Sequence, residues 1–445
     1  MFELKYFRLI DAYERSEREA AEPPPARAFD IAELGQDNTM KRAITEVVRV
    51  AVLVIFKLLR AFCPVARIGR LVIVSRHADV REVLLDREHF QVPFGPEMRS
   101  LTGGADFALG LDGAAHDRQR AFLDAVVRKA DATRILERTR YFTTALLGNS
   151  GGRIDVMTDL FGRVLTETCS EYFGLDLDEP HAFLDRSIGI SALIFADPFG
   201  NLKTRRLAMN GAQRVCYLVD RAIARAHALP RDSVIDRLVQ FRDEHGAAIP
   251  DDEIRAMMIG TMTGLIPTNL LGAGKMLEEL MRRGLLQKAI ETAAAAERHR
   301  ESDPPAADRH RQALRDLLFE ASRLNPALFP GQWRFAPRAA TIAGKTIEAG
   351  SVIMVATLSA LRDHRAFIAP DRFEAGRRID PDLMFGTGSH RCLGAYLAME
   401  QITEIFQILL AQPGIQVARG AAGIMSHIGP YPRRLDMVFE PAGAP

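Results

Sequence analysis

The chain has 445 residues, of which 47% are hydrophobic and 26% are charged, and its formal net charge is +1. The composition is that of a globular protein with an extensive core, and the near-neutral charge gives no reason to expect a nucleic-acid partner. Cys63, Cys169, Cys216 and Cys392 lie far apart in the sequence, so neither a disulfide framework nor a zinc site is indicated.

The most apolar stretch of the chain does not predict a transmembrane span. Residues 47–62 are interrupted by Arg49, Lys57 and Arg60, whereas a spanning helix needs about 20 consecutive apolar residues. No apolar signal core precedes Pro23. We therefore expect a cytoplasmic protein, and the alternative in which residues 47–62 lie on a membrane surface stays open.

The N-terminal part combines an extension with a few regular elements. Residues 1–40 are charged and contain a run of prolines at 23–25, which predicts a loosely docked N-terminal extension. An amphipathic helix, a strand, a second helix and a long loop rich in Gly and Pro are then predicted, in that order, at residues 41–62, 67–76, 78–85 and 90–113. Long loops in compact domains are often binding loops.

The remainder of the chain is predicted to be mostly helical. Residues 114–300 show helical patterning, and the longest pattern spans residues 251–283 and is followed by a glycine. Strand-like runs occur at residues 339–356, and short extended pieces at 414–440. The predicted fold class is therefore mostly α with small β-sheets, in one domain that covers residues 41–445.

One stretch near the C-terminus carries the most specific pattern. Residues 385–394 read Phe-Gly-Thr-Gly-Ser-His-Arg-Cys-Leu-Gly, and an apolar stripe typical of a helix follows them. Gly386 and Gly388 let the backbone bend close to a flat cofactor. Because the N-terminal end of a helix stabilises a negative sulfur, this pattern suits Cys392 as a thiolate ligand.

This stretch resembles the haem-binding loop of the cytochrome P450 family, whose pattern Phe-Gly-x-Gly-x-His-x-Cys-x-Gly is present in full. The resemblance implies a single haem domain, with haem b (iron protoporphyrin IX) as cofactor and Cys392 as the axial ligand of the iron. Haem propionates in an apolar pocket need charged partners. The resemblance assigns cofactor binding to Cys392, His116, Arg120, Arg334, His390, Phe385 and Gly386.

Two further motifs resemble the structural network of the same family. Glu320 and Arg323 lie one above the other on a helix, as in the family's Glu-x-x-Arg motif. Residues 369–373, Ala-Pro-Asp-Arg-Phe, match the element that supplies the third member of this network, which is Arg372 here. The resemblance implies that Glu320, Arg323 and Arg372 form a buried structural network without a catalytic role.

The long helix departs from the family pattern at one position. Residues 264–268, Gly-Leu-Ile-Pro-Thr, align with Ala/Gly-Gly-x-Asp/Glu-Thr, so Thr268 is kept while Pro267 replaces the acid. Proline has no N–H for the carbonyl of Thr263, and a kink is expected. One interpretation is that Thr268 delivers protons to bound oxygen with water or with help from Asn269. The other is that the protein receives oxygen already reduced, as a peroxide.

The resemblance places the substrate pocket between the 90–113 loop, the region around residues 190–205, the long helix and the segments near residues 335 and 427. Its predicted substrate-binding residues are Phe94, Phe107, Leu109, Thr263, Gly264, Phe335 and Ile428. Most of these side chains are apolar, so we expect a lipophilic small-molecule substrate such as a fatty acid, a terpene or a steroid-like compound.

The resemblance implies a haem-thiolate monooxygenase that uses O2. The chain has neither a dinucleotide fingerprint nor a cluster of cysteines, so the electrons are expected from a separate ferredoxin or flavodoxin. Arg118 and Arg391 are candidates for a basic docking surface. The alternatives are a peroxide-dependent haem enzyme (a fatty-acid peroxygenase or a hydroperoxide isomerase), which Pro267 motivates, and a non-catalytic haem- or ligand-binding protein.

Overall fold

Helices make up most of the structure, a computed structural model that describes residues 4–14, 29–35, 38–378 and 382–441. In chain order the α-helices are α1 Lys5–Glu14, α2 Thr39–Phe62, α3 His77–Leu85, α4 Gly95–Thr102, α5 Gly113–Val126, α6 Ala132–Gly148, α7 Arg163–Phe173, α8 Pro180–Ser191, α9 Leu202–Ala228, α10 Val234–Gln240, α11 Asp251–Arg282, α12 Leu286–His299, α13 Pro304–Leu324, α14 Thr357–Ala360, α15 Asp382–Phe385 and α16 Ala395–Leu410. A π-helical stretch precedes α7 and another follows α8, at Val156–Gly162 and Ala192–Ala196. The predicted fold class is confirmed.

The strands form small sheets beside the helices. In chain order they are β1 Val65–Ile68, β2 Leu71–Val74, β3 Arg153–Asp155, β4 Gln332–Ala336, β5 Ala340–Ile342, β6 Lys345–Ile347, β7 Ser351–Val355, β8 Gln416–Val417, β9 Ser426–Ile428, β10 Tyr431–Arg434 and β11 Asp436–Val438. The sheets have the orders β1-β2-β7-β4, β3-β11-β8, β5-β6 and β9-β10. The prediction of one strand at residues 67–76 is wrong, because Gly69 adopts a positive φ of 61° and turns the chain into the β1-β2 hairpin.

The helix α11 is the central element of the fold. It has 32 residues, which at 1.5 Å per residue gives a length of about 48 Å. Most of its side chains are buried, as expected for a helix that other elements surround on all sides. Acidic residues in its first turn stabilise the helix, because they interact favourably with the positive N-terminal end of the helix dipole. Gly284, with φ of 67°, follows its last residues, as the sequence predicted.

The segment at residues 90–113 contains more regular structure than the predicted loop. It includes α4 and a short 3-10 turn at Ala108–Gly110. Gly95 and Gly110 bring these two elements together, since a Cβ atom on Gly110 would lie 2.7 Å from the Cα atom of Gly95. Glycine in place of larger residues therefore allows close packing here rather than flexibility.

Two N-terminal elements differ in how they meet the core. Leu4, Tyr6 and Ile10 of the α1 region are buried in the main hydrophobic core, so the prediction of a loosely docked extension is wrong for this part. In α2, by contrast, Phe56 and Arg60 are the buried residues, and many apolar side chains are exposed. No helix in the described part of the chain is long and apolar enough to cross a bilayer.

A buried ion-pair network ties α13 to the segment before the cysteine loop. Arg323 donates to Glu320 through Nε–Oε2 and Nη2–Oε1 contacts of 2.7 and 2.8 Å, and both side chains are fully buried. Arg377 is the second arginine at Glu320, with its Nε atom 3.4 Å from Oε1. The prediction of Arg372 in this place is wrong, because its side chain is exposed and only its backbone carbonyl accepts a bond from Arg323.

The two arginines near Glu320 give a direct test of this correction. We expect Arg377→Ala to lower the free energy of unfolding by about 1–3 kcal/mol, because a buried carboxylate loses one of its hydrogen-bond donors. The matched variant Arg372→Ala removes an exposed side chain and is expected to change it by less than about 0.5 kcal/mol. Urea unfolding of both variants is the measurement. A larger loss in Arg372→Ala than in Arg377→Ala would contradict the correction.

Candidate active site

The cysteine loop is closed by its own backbone. The amide of Cys392 donates to the carbonyl of Phe385, at the end of α15, over 2.9 Å. Gly386 and Gly388 have φ values of 76° and 75°, which side chains rarely adopt. A Cβ atom on Gly388 would also lie 2.5 Å from the carbonyl oxygen of Leu84 in α3. Glycine is therefore required for the loop to fold against α3.

The sulfur of Cys392 lies just before the N-terminus of α16. The residue is accessible to solvent, although the surrounding protein is dense enough for burial to raise the pKa of its thiol. A backbone hydrogen bond from Gly394 and the charges of Arg120 and Arg391 oppose this rise. Because a bound metal deprotonates a coordinating thiol, these groups are placed to stabilise a thiolate ligand.

A cluster of buried basic side chains lies near the loop. The rings of His116, on α5, and His390 have centroids 4.4 Å apart. His390 Nε2 contacts Asp112 Oδ1 at 3.2 Å. Burial lowers the pKa of His390 to about 4, an effect that Asp112 opposes and the charge of Arg334 reinforces. The structure thus brings together His116, His390 and Arg334, and their predicted contact with a haem propionate stays a prediction.

Arg334 is the strongest sign that this cluster suits an anion. It lies on β4 with an exposed fraction of 4%, and its Nη1 atom donates to the carbonyl of Trp333 over 2.8 Å. Within the described residues no carboxylate lies within 4.0 Å of it, and burial lowers its pKa to about 10. Since a buried charge without a partner is costly, the carboxylate edge of a haem fits this position.

Arg120 lies at the edge of this cluster. Its Nη1 atom donates to the carbonyl of Arg391 over 2.6 Å, and its Nε atom donates to Asp124 over 3.0 Å. It is one of the charges that act on Cys392. Its predicted contact with a haem propionate stays a prediction, while its observed contact supports the backbone of the cysteine loop.

The central part of α11 runs as a continuous helix through Pro267. The expected kink therefore does not interrupt it. The Thr268 hydroxyl donates to the carbonyl of Gly264, and a Cβ atom on Gly264 would meet no atom within 4 Å. This open side of the helix is compatible with a flat cofactor and a small ligand. Thr263 is fully buried, and its hydroxyl donates to the carbonyl of Ile259.

The predicted substrate-binding residues come from several elements of the fold. Phe94, Phe107 and Phe335 are buried in the main core cluster, which also includes Ile428 of β9 and, partly buried, Leu109. Phe107 packs directly on α11, since a Cβ atom on Gly260 would lie 2.1 Å from its ring. Phe335 is fixed by a pair of backbone hydrogen bonds with Gln91.

Sequence reasoning missed three charged residues near the site. Asp112 contacts His390 and also accepts a bond from the amide of Val92. Its position directly before Gly113 and α5 was a signal for an N-cap residue. Lys5 and Glu97 form a buried ion pair, and no local pattern indicates such a pair because its members are distant in the sequence.

A cysteine beside a helix N-terminus, a buried group of basic side chains and an open face of a long helix are compatible with a protein that holds an anionic metal cofactor through sulfur. Comparison with known families agrees with this class. The cytochrome P450 family model matches residues 67–412, and the chain belongs to that family. It is accordingly an oxidoreductase of the monooxygenase type, and the family implies a haem cofactor.

Known relatives can be aligned with most of this chain. Erythromycin C-12 hydroxylase of Saccharopolyspora erythraea is 28% identical over 77% of this chain and 81% of its own. Mycinamicin IV hydroxylase/epoxidase of Micromonospora griseorubida is 26% identical over 78% and 83%. Among solved structures, the open cytochrome P450 Eryk of S. erythraea superposes with a TM-score of 0.71 at 25% identity and covers 89% of this chain and 97% of its own.

The ligand role of Cys392 can be tested by a single-atom change. Cys392→Ser replaces the sulfur by oxygen at nearly constant volume. We expect the reduced carbon monoxide complex to lose the Soret position that thiolate ligation gives, because serine is not a thiolate donor. The control is Cys216→Ser, at a cysteine whose thiol contacts the Leu101 carbonyl. An unchanged carbonyl spectrum in Cys392→Ser would exclude it as the ligand.

If Arg334 binds an anionic group of the cofactor, replacing it should weaken haem retention but should not destabilise the haem-free protein. Arg334→Met should raise the rate of haem loss about tenfold or more, because a charged hydrogen bond contributes about 1.5–3 kcal/mol. The haem-free form should keep its free energy of unfolding or gain up to about 3 kcal/mol, since a buried unpaired charge is removed. Haem transfer to an acceptor globin and urea unfolding are the measurements. The control is Arg338→Met, at an exposed arginine.

Proposed function

We propose that the protein inserts one oxygen atom of O2 into a lipophilic small molecule such as a fatty acid, a terpene or a steroid-like compound. The proposal rests above all on Arg334 beside the Cys392 loop, which is buried and has no carboxylate partner among the residues that the structure describes. It includes haem b as the cofactor, a separate ferredoxin or flavodoxin as electron donor, and a cytoplasmic location. Haem, when bound, supplies the activation of O2.

The residues of the cysteine loop and the cluster of buried basic side chains would hold the cofactor. Cys392 would provide the sulfur ligand, with Arg120 and Arg391 opposing the cost of its negative charge. His116, His390 and Arg334 would bind the carboxylate edge of the haem. Because His390 is buried and its pKa is lowered to about 4, it would act there as a neutral hydrogen-bond donor.

The proton path would run along α11 without the usual acid. The Thr268 hydroxyl donates to the Gly264 carbonyl, so it would have to rotate to hold its proton toward the open side of α11 at Gly264. The Thr263 carbonyl lacks its helical donor because Pro267 has no N–H, and it can accept a bond from water. The buried Nδ2 atom of Asn269 has no hydrogen-bond partner among the described residues, which supports a role for Asn269 in orienting that water.

The substrate class is supported by the side chains that were predicted to line the pocket. The aromatic side chains Phe94, Phe107 and Phe335 are buried together with aliphatic ones, which favours an apolar ligand. The relatives are named for reactions at erythromycin, mycinamicin IV and, in a third case, vitamin D(3). These names agree in the type of reaction, hydroxylation or epoxidation, but point to no common substrate.

Electron transfer would use the surface around the cysteine loop. Arg391 is exposed there, and Arg118 is more than half exposed although it is paired with Glu253 at 2.6 Å. A basic surface of this kind steers an acidic donor. The peroxide-dependent alternative needs no such donor. Pro267 motivated that alternative, but the hydroxylase and epoxidase relatives do not favour it.

Turnover with two oxidants tests the proposal. One reaction contains isotopically labelled O2 with a surrogate ferredoxin and its reductase, and the other contains hydrogen peroxide or a lipid hydroperoxide without reductant. Unsaturated fatty acids and steroids serve as substrates. We expect labelled product in the first reaction only, with one oxygen atom of O2 in the product and the other in water. Product in the second reaction alone would replace the proposal by peroxide chemistry.

A further inference from the structure

The N-terminal helix α1 is inserted among aromatic residues of the substrate region. Tyr6 has an exposed fraction of 1%. Its ring lies 4.8 Å from that of Trp333 and meets the ring of Phe94 edge to face at 6.1 Å. Phe94 in turn contacts Phe195 edge to face at 6.4 Å. One aromatic chain therefore runs from α1 through the predicted pocket wall.

A buried ion pair holds α1 in this position. Lys5 Nζ lies 2.8 Å from Glu97 Oε2 on α4, and the two residues have exposed fractions of only 3% and 2%. Lys5 Nζ also donates to the carbonyl of Leu193, and the Lys5 amide donates to the carbonyl of Pro198 over 2.9 Å. Removing one member of a buried pair leaves the other charge uncompensated. Polar contacts at defined positions therefore hold α1 in place, in addition to its apolar packing.

The elements that α1 bridges belong to segments that were predicted to surround the substrate pocket. They are α4, the segment from Leu193 to Pro198, and β4, which carries Trp333 next to Arg334. The outer side of this region reaches solvent, because Phe199 and Leu202 are exposed and Arg8 of α1 is exposed as well. Tyr6 itself is buried and contacts Phe94, which in turn contacts Phe195.

We propose that α1 covers the substrate entrance and that Tyr6 limits the size of the ligand that enters. A bulky lipophilic ligand reaches the haem only after α1 leaves the groove between α4, the 193–198 segment and β4. A small ligand passes with α1 in place. This inference rests on the proposed function in one respect, since it takes the space behind Phe94 as the substrate site.

The test compares two ligands that bind haem iron through the same type of nitrogen but differ in bulk. Imidazole is the small probe and clotrimazole, a triaryl imidazole, is the bulky one. Their association rates are followed by stopped-flow recording of the Soret band. The proteins are the full-length haem-loaded chain, Tyr6→Ala and a chain that begins at residue 15. Phe7→Ala is the matched control, because Phe7 is an aromatic residue of α1 that contacts Arg70.

We expect clotrimazole to associate about tenfold faster or more in Tyr6→Ala and in the shortened chain, because the open state no longer competes with a covered one. The association rate of imidazole in these proteins should stay within about twofold of its rate in the full-length protein. Both rates should also stay within about twofold in Phe7→Ala. A purely structural role of Tyr6 would change both probes equally. An unchanged ratio of the two rates in both variants overturns the proposal, and so does an equal effect of Phe7→Ala.

A second measurement keeps the proposal testable if a variant fails to retain haem. Hydrogen exchange of the amides of residues 6–10 is measured in the unaltered protein with either probe at saturation. Faster exchange with clotrimazole alone supports displacement of α1, and equal protection with both probes overturns it. Binding of imidazole reports the haem site by itself. A protein that binds imidazole but makes no product would therefore contradict the proposed function and leave the inference on α1 intact.

Discussion

The burial of positive charge beside Cys392 is the constraint on which the site depends. Arg334 lies inside the protein with a backbone carbonyl as its hydrogen-bond acceptor, and burial together with the charge of Arg334 lowers the pKa of the neighbouring His390. Such an arrangement is unfavourable in isolation. A bound dianionic group would offset this cost, because the charge of Arg334 would then compensate carboxylates that have also left water. Cofactor binding and folding of this region are thus energetically linked.

A haem held by Cys392 would also have to fit between rigid elements. On one side the cysteine loop is fixed against α3 by Gly388, where a side chain would collide with the Leu84 carbonyl. On the other side α11 presents Gly264, which leaves space where a side chain would stand. The Glu320–Arg323–Arg377 network joins α13 to the segment that leads into the loop. These fixed surfaces explain why a few glycines and one buried ion-pair network determine the geometry of the whole site.

Sequence patterns predicted the long helix and the glycine-rich cysteine loop, because each depends on local spacing or on a specific family motif. They placed the third member of the Glu320 network wrongly. Arg372 and Arg377 are both arginines of one irregular segment, and only the path of that segment decides which side chain reaches Glu320. The β1-β2 hairpin was missed for a related reason, since a single Gly69 with positive φ outweighs the β-branched residues on either side of it.

The N-terminal region shows the same limit most clearly. A charged, proline-containing segment has the composition of an unattached extension, yet Lys5 is buried because Glu97 and the Leu193 carbonyl compensate its charge. Composition describes what a segment would do in water, whereas a single distant carboxylate can reverse that preference. Glu97 has in turn a raised pKa, mainly through burial, and Lys5 opposes the rise. Each charge is therefore acceptable in the interior only while the other is present, which couples the position of α1 to that of α4 directly beside the substrate region.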